Sequence, residues 1–263
     1  MKSKLEIAIR AALLAGKEIL EVYNTNDFEI KLKSDDSPLT LADQKAHKII
    51  VEHLLETNIP ILSEEGRDIP YQERSNWDMY WLVDPLDGTK EFIKRNGEFT
   101  VNIALIEKGT PIMGVIYVPV TKDLYYSTKE QGAFKAINID SDSEVNSIFQ
   151  FGLKIPFVLE NENFTAVGSR SHMNEETETF IAKLKEEHGD VEFISKGSSL
   201  KICMVAEGIA NVYPRFAPTM EWDTAAGHAI ALGAGCTVTQ ADEKTALVYN
   251  KEDLLNPWFI IKR

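Results

Sequence analysis

The chain has 263 residues, 28 of them Lys or Arg and 41 Asp or Glu, for a net charge of −13. With 44% apolar and 26% charged residues it has the composition of a folded protein, one large domain or two layered halves, and not of a disordered one. A pI near 4.9 argues against nucleic-acid polymers and anionic membranes as partners, because both call for a basic patch. Small phosphates stay open, since metal ions can reverse the local sign of a site.

The spacing of Leu5, Ala8, Ile9, Ala12, Leu13, Gly16, Ile19, Leu20 and Tyr23 predicts an amphipathic first helix. Glu6 and Arg10 interrupt it, unlike a secretory leader, and no run approaches the ~20 apolar residues of a membrane span. A strand over Phe28–Leu32 and a polar loop from Lys33 to Pro38 follow. A second helix is expected from Thr40 to Leu54, opened by the capping-box-like Thr40-x-x-Asp43. Its His47 and His53 are expected on a solvated face. Ile59–Leu62 reads as a buried strand ending at Ser63-Glu64-Glu65-Gly66, residues 67–78 as polar loop, and Met79–Val83 as a short strand ended by a turn at Asp84. Three strand candidates between residues 99 and 136, separated by Gly109-Thr110-Pro111 and Thr121-Lys122-Asp123, predict an antiparallel meander.

Residues 137–150 are the most loop-like and place the expected boundary between an N-terminal half, 1–150, and a C-terminal half, 151–263. Beyond it come a strand over Phe164–Val167, a helix over Glu175–Glu187 stopped by Gly189, and a strand over Val191–Ser195. Helices over Leu200–Glu207 and Thr224–Leu232, the latter holding a core His228, precede a terminal strand, Trp258–Ile261. The order implies an α+β half followed by an α/β half, with mixed sheets covered by helices. Cys203 and Cys236 lack the spacing of a zinc site or redox pair and read as reduced core thiols. The expected compartment is the cytoplasm.

The chemistry-bearing residues are acids placed where strands end. Asp84 and Asp87 flank Pro85-Leu86 directly after an apolar strand, and Gly88-Thr89 opens a short helix. Such a turn aims two carboxylates and the Leu86 carbonyl at one point, an oxygen-only donor set that suits Mg²⁺. The adjoining helix N-terminus offers backbone N–H groups to a phosphate. Glu64-Glu65 end another strand in the same way, and Asp223 precedes an apolar helix, where it could equally be an N-cap. A phospho-aspartyl mechanism would need the second acid two residues after the nucleophile; here the separation is three.

Three segments together carry a resemblance. Leu62-Ser63-Glu64-Glu65-Gly66, Trp81-Leu82-Val83-Asp84-Pro85-Leu86-Asp87-Gly88-Thr89 and Glu221-Trp222-Asp223-Thr224-Ala225-Ala226-Gly227 resemble, in order, the signatures of the inositol monophosphatase superfamily of Mg²⁺-dependent, lithium-sensitive phosphatases. The run Asp84 to Phe92 is most similar to the bacterial 3′(2′),5′-bisphosphate nucleotidase branch. The resemblance implies the layered αβαβα sandwich of the inositol monophosphatase and fructose-1,6-bisphosphatase type. It implies Glu64, Asp84, the Leu86 carbonyl, Asp87 and Asp223 as ligands of two or three Mg²⁺. It further makes Thr89, with Asp43 as its partner, the group that activates the attacking water, with no covalent phosphoenzyme. Four carboxylates near one point would raise one another's pKa unless cations intervened, which agrees with a metal role.

In the second half, His172, Ser198, Lys201 and Arg215 occupy the positions at which bisphosphate nucleotidases grip adenosine 3′,5′-bisphosphate; Glu64, Leu86, Asp87, Gly88, Thr89 and Asp223 would meet the scissile phosphate. A helix N-terminus with Lys and Arg is also what a second, non-reacting phosphate requires. The expected activity is hydrolysis of the 3′-phosphate to give AMP and phosphate, with the sulfated relative, 3′-phosphoadenylyl sulfate, as a further substrate. Inositol monophosphatase and fructose-1,6-bisphosphatase are the alternatives within the class, and a catalytically idle nucleotide- or metal-binding protein the alternative outside it. Peripheral attachment to the inner membrane face follows from the resemblance alone.

Overall fold

The computed structural model describes residues 2–25, 31–32, 38–157, 163–169 and 173–263. Helix α1 (Lys2–Tyr23) and helix α2 (Leu41–Leu54) flank two antiparallel two-residue strands, β1 (Lys31–Leu32) and β2 (Pro38–Leu39). The chain continues through β3 (Ile61–Ser63), α3 (Tyr71–Arg74), β4 (Met79–Asp87) and α4 (Thr89–Ile93). Next come β5 (Thr100–Glu107), β6 (Thr110–Val118), β7 (Asp123–Thr128), β8 (Gly132–Ala136), α5 (Val145–Phe151) and β9 (Leu153–Ile155). The remainder holds β10 (Phe164–Gly168), α6 (Glu175–His188), β11 (Val191–Ser195), α7 (Leu200–Glu207), β12 (Val212–Arg215), α8 (Glu221–Gly233), β13 (Thr237–Gln240) and β14 (Phe259–Lys262).

Strands β3 to β9 form one seven-stranded sheet in chain order, antiparallel except for β3 against β4. The other large sheet has five strands in the order β11-β10-β12-β14-β13. Helices α1 and α2 cover one face of the first sheet, α7 and α8 lie between the two sheets, and α6 covers the outer face of the second. The result is the five-layer αβαβα arrangement. Each layer boundary is apolar. Leu5, Ile9, Leu13 and Ile50 meet Val101, Ile103 and Leu105, the odd positions of β5, whereas its even positions Ala104 and Ile106 meet the α7–α8 layer. A strand buried on both faces must be apolar at both parities, and most of β5 is.

Helix α8 sits close enough to β6 that a Cβ on Gly114 would stand 2.3 Å from the Ala226 carbonyl oxygen. Helix α7 meets α8 at Gly227, where a Cβ would stand 2.6 Å from Ile202 Cδ1. These contacts fix α8 against the first sheet and its N-terminus over the end of β4. Sheet membership changes between Ile155 and Phe164, and α5 occupies much of the stretch read as loop at 137–150.

Other boundaries also differ from expectation. The last strand candidate before residue 136 divides into β7 and β8 at Lys129–Gln131, and Gly132 adopts a left-handed φ of 86°. The polar loop at 67–78 contains the one-turn helix α3. Strand β12 carries Pro214, which disfavours an interior strand; β12 pairs with β10 only at Ala166↔Val212, so little ladder is lost there. Of the strand expected over Phe28–Leu32, only Lys31–Leu32 falls among the described residues. Among those residues, no helix is long and apolar enough to cross a membrane.

Candidate active site

Strand β4 does not end in a turn at Asp84. It runs on to Asp87 through a bulge, with Asp84 opposite Asn102 and Asp87 opposite Thr100, so that three steps on β4 match two on β5. The extra residue re-aims the side chains on either side of it. Leu86 N donates to Asp84 Oδ1 at 3.0 Å, and Gly88 turns the chain with φ 92° into the five-residue helix α4. Glu64 follows the parallel strand β3, its backbone N–H bonded to Val83 O at 3.1 Å. Asp223 sits in the first turn of α8, which begins at Glu221 and not at Thr224; its Oδ2 accepts the Met220 N–H at 2.8 Å. The start of α8 is anchored in turn by the fully buried Glu221 carboxylate, which accepts the backbone N–H groups of Asn250 and Lys251.

These elements bring Glu64, Asp84 and Asp223 together: one carboxylate oxygen from each lies within 4.8 Å of the others. Burial and the neighbouring charges of Glu64, Asp87 and Asp223 hold the Asp84 carboxyl well above the usual carboxylate range. Burial, then the Asp87 charge, pushes Asp223 up to about 8. Three desolvated carboxylates that close repel one another when ionised, and a hard divalent cation is the counter-charge that oxygen donors of this kind fit. The chemistry of the donor set therefore suits such an ion. Asp87 is not in the compact group. Its Oδ2 accepts Ser198 Oγ at 2.6 Å and Ser199 Oγ at 2.9 Å, with Asn102 Nδ2 at 3.4 Å.

Asp43 serves two purposes. Its Oδ2 closes the capping box of α2, accepting the N–H of Thr40 at 2.7 Å and its hydroxyl at 2.5 Å. Its Oδ1 accepts the Thr89 hydroxyl at 3.3 Å. Thr89 Oγ1 also stands 3.4 Å from the Leu86 carbonyl.

A cleft runs from Asp87 and Asp223 to Ser198, Lys201, Tyr213 and Arg215. Both cations are buried, Lys201 6% and Arg215 9% exposed. Lys201 Nζ donates to Ser198 O at 2.5 Å and Lys196 O at 3.3 Å, and burial lowers its pKa to about 8. Arg215 Nη2 donates to Pro218 O at 2.9 Å, while its buried Nε has no hydrogen-bond partner. They are not surface ion-pair partners. His172 lies outside the described residues, as do Lys33 and Asp35 of the loop before α2.

His47 is half-buried and not solvated: its Nδ1 is 2.9 Å from Ser63 Oγ, and desolvation lowers its pKa. His53 bonds its own helix at Ile49 O. His228 is a core residue, 3.0 Å from Tyr249 Oη, its pKa driven down to about 3 by burial. Sequence reasoning missed Thr100, Asn102, Ser199 and Glu98. Glu98 accepts Gly197 N at 2.9 Å and Lys196 Nζ at 3.1 Å, clamping the loop before α7. The available signal was the pair Thr100 and Asn102, two polar residues on one face of a strand that is otherwise apolar up to its terminal Glu107.

The chain is similar to known proteins in sequence and fold. The sequence profile of the inositol monophosphatase family matches residues 1–260. The 3′(2′),5′-bisphosphate nucleotidase CysQ of Salmonella typhimurium is 46% identical over 259 residues, covering 97% of this chain and 98% of its own. The protein of that name from Escherichia coli K12 is 44% identical over 249 residues, covering 93% and 94%. The crystal structure of CysQ from Bacteroides thetaiotaomicron, described as a bacterial member of the inositol monophosphatase family, superposes with a TM-score of 0.92 at 56% identity, covering 100% of this chain and 97% of that one. The suhB protein of Bartonella henselae, at 24% identity and a TM-score of 0.74, shares the fold. With a profile match along almost its whole length and relatives this similar, the chain belongs to the inositol monophosphatase family.

Proposed function

We propose that this chain is a Mg²⁺-dependent 3′(2′),5′-bisphosphate nucleotidase of the cytoplasm that hydrolyses the 3′-phosphate of adenosine 3′,5′-bisphosphate, giving AMP and phosphate. One observation carries the reading: Asp223, which belongs to the carboxylate group, and Asp87 line the same cleft as two buried cations, Lys201 and Arg215. A monophosphate would occupy the acidic side and leave Lys201 and Arg215 without an anion. A nucleotide bisphosphate satisfies both sides. The names of the relatives point the same way.

Glu64, Asp84, Asp87, Asp223 and the Leu86 carbonyl are the groups that would hold Mg²⁺, which when bound supplies Lewis-acid polarisation of the phosphate and of water. The chain's own residues do the rest. Thr89 donates its hydroxyl proton to Asp43 and so presents an oxygen lone pair to a water. As that water attacks phosphorus and the bond to O3′ breaks, the proton it loses passes through Thr89 to Asp43, the general-base role, and the departing O3′ takes a proton from solvent water to become the 3′-hydroxyl of AMP. Asp43 is fixed for this by Thr40, which occupies its other oxygen. Lys201 and Arg215 bind the 5′-phosphate and orient the nucleotide; charge-assisted bonds to buried cations are the strong kind.

The test is phosphate release in Mg²⁺ from adenosine 3′,5′-bisphosphate, inositol 1-phosphate and fructose 1,6-bisphosphate at equal concentration. The nucleotide should lead by at least about tenfold in kcat/KM. Equal or faster release from inositol 1-phosphate overturns the nucleotidase reading, and no release from any of the three overturns the phosphatase reading.

A further inference from the structure

Asn102 and Ser199 are polar residues in an apolar layer, 1% and 2% exposed. Burying such groups is unfavourable unless every hydrogen-bonding atom finds a partner. Here the partners lead to one place. Thr100 Oγ1 donates to Asn102 Oδ1 at 2.9 Å, and Asn102 Nδ2 donates to Ser199 Oγ at 2.9 Å. Because Ser199 Oγ receives that proton, its own must go outward, to Asp87 Oδ2 at 2.9 Å or the Asp223 carbonyl at 2.9 Å. The chain of donors thus starts on β5, crosses to the first turn of α7, and ends on Asp87 and on the helix that carries Asp223. Asn102 and Thr100 are also the cross-strand partners of Asp84 and Asp87 at the bulge.

From this geometry we infer that Asn102 and Ser199 are positioning residues: they fix the Asp87 carboxylate by one oxygen, Oδ2, so that Oδ1 is presented to a cation held with Glu64, Asp84 and Asp223. The inference rests on the metal-dependent reading above. It assigns a purpose to two buried polar residues that touch neither the substrate cleft's cations nor the carboxylate group of Glu64, Asp84 and Asp223. Partners that orient a ligating carboxylate from behind commonly change metal affinity 10- to 100-fold when removed. Ser198 Oγ, 2.6 Å from Oδ2, remains when Ser199 or Asn102 is removed; a carboxylate held by that one hydroxyl can still turn about it, and more of the entropy of fixing it falls on metal binding.

The experiment is Mn²⁺ binding to the metal-free full chain, read as free Mn²⁺ by electron paramagnetic resonance, for the wild type, Ser199→Ala, Asn102→Ala and Ser199→Thr. Ser199→Ala and Asn102→Ala should each weaken binding about tenfold, while Ser199→Thr, which keeps the hydroxyl, should stay within about threefold of the wild type. At saturating metal, the KM for the nucleotide should move less than about threefold in the alanine variants, because Lys201 and Arg215 are untouched. A merely structural role would lower the melting temperature in chelator and leave the Mn²⁺ constant of the folded chain unchanged. Wild-type affinity in both alanine variants overturns the positioning role. Absence of Mn²⁺ binding to the wild type overturns the metal reading itself, and the two failures are thereby told apart.

Discussion

The two walls of the cleft are built on opposite logic. On the acidic side Asp223 and Asp87 line the cleft, and Asp223 is joined by Glu64, just after β3, and by Asp84, at the bulge of β4, so that one carboxylate oxygen from each of the three lies within 4.8 Å of the others. The basic wall keeps Lys201 and Arg215 on α7 and β12, tied to backbone carbonyls and not to acids. Burial raises the pKa of Asp84 and Asp223 and lowers that of Lys201. Asp84, Asp223 and Lys201 are therefore each held toward a less charged state than they would adopt in water. What this teaches is that neither wall is arranged for stability: one crowds buried carboxyls together and the other buries an ammonium against backbone carbonyls. A ligand carrying phosphate, taken with metal, satisfies both.

The sharpest way to break the comparison is to remove the centre of the acidic wall. Asp84→Asn should lower phosphate release by roughly a thousand-fold or more, since about 1.36 kcal/mol of transition-state stabilisation is a factor of ten and a metal supplies several kcal/mol. Circular dichroism should show an unchanged fold; unchanged turnover would remove the metal assignment. Thr89→Ala comes next. It takes away the hydroxyl between Asp43 and the attacking water, and general-base catalysis is worth about 10²- to 10⁴-fold. A loss near a hundred-fold in kcat with KM little changed is expected, with Thr89→Ser recovering most of it. Recovery by Thr89→Val would disprove the relay.

On the basic wall the effect is smaller and falls on binding. Lys201→Ala should raise the KM for adenosine 3′,5′-bisphosphate by about ten- to a hundred-fold, the worth of one hydrogen bond to a charged group. Release from 3′-AMP, which has no second phosphate, should barely respond. In the wild type the same contrast can be drawn with pH. The Lys201 ammonium loses its proton above about 8, so the KM for the bisphosphate should climb beyond that pH while that for 3′-AMP stays flat. Parallel climbs would place the titrating group elsewhere.

The walls also differ in how far a one-dimensional reading reaches them. The acids at strand ends were legible because a carboxylate directly after an apolar run has few structural uses, and the three acidic segments occur in a recognisable order. Helices α1, α2, α6 and α7 were legible from apolar spacing and from ends such as Thr40-x-x-Asp43 and Gly189. The bulge was not: Asp84-Pro85-Leu86-Asp87 is full of turn-forming residues, and only pairing with Asn102 and Thr100 keeps it in the sheet. Nor was the orientation of Asp87, which depends on Ser198 and Ser199, more than 110 positions away and delivered by the packing of α7. Strand β12 was hidden by Pro214, and His47 by a helix that looked half-exposed from its own sequence. Interactions local in sequence were read well; those that exist because two layers meet were not.

The gentlest prediction separates the walls by the sign of their effect on stability. In the metal-free chain the carboxyls of Asp84 and Asp223 keep protons that the unfolded chain, with carboxylates near 3.8, gives up. The folded state then binds more protons than the unfolded one, so stability falls as pH rises from about 4 toward 8. Lys201 acts oppositely. Its folded pKa near 8 lies below the ordinary 10.5, and stability rises with pH only between those values. His228, held neutral down to about 3, adds a rise between 3 and 6.5 that partly masks the carboxylates. Measuring the melting temperature with Mg²⁺ and with EDTA at each pH cancels His228 and Lys201, which are present in both. An ion that binds only the folded state stabilises it by mass action, and it must displace fewer protons as pH rises. The gap between the two melting curves should therefore widen from pH 5 to pH 8 by several degrees, at about 2–4 °C per kcal/mol for a chain of this size. In Asp84→Asn the gap should be small and independent of pH. A wild-type gap that is equally flat would mean that the acidic wall carries its charge without strain, and that the contrast between the two walls is only one of composition.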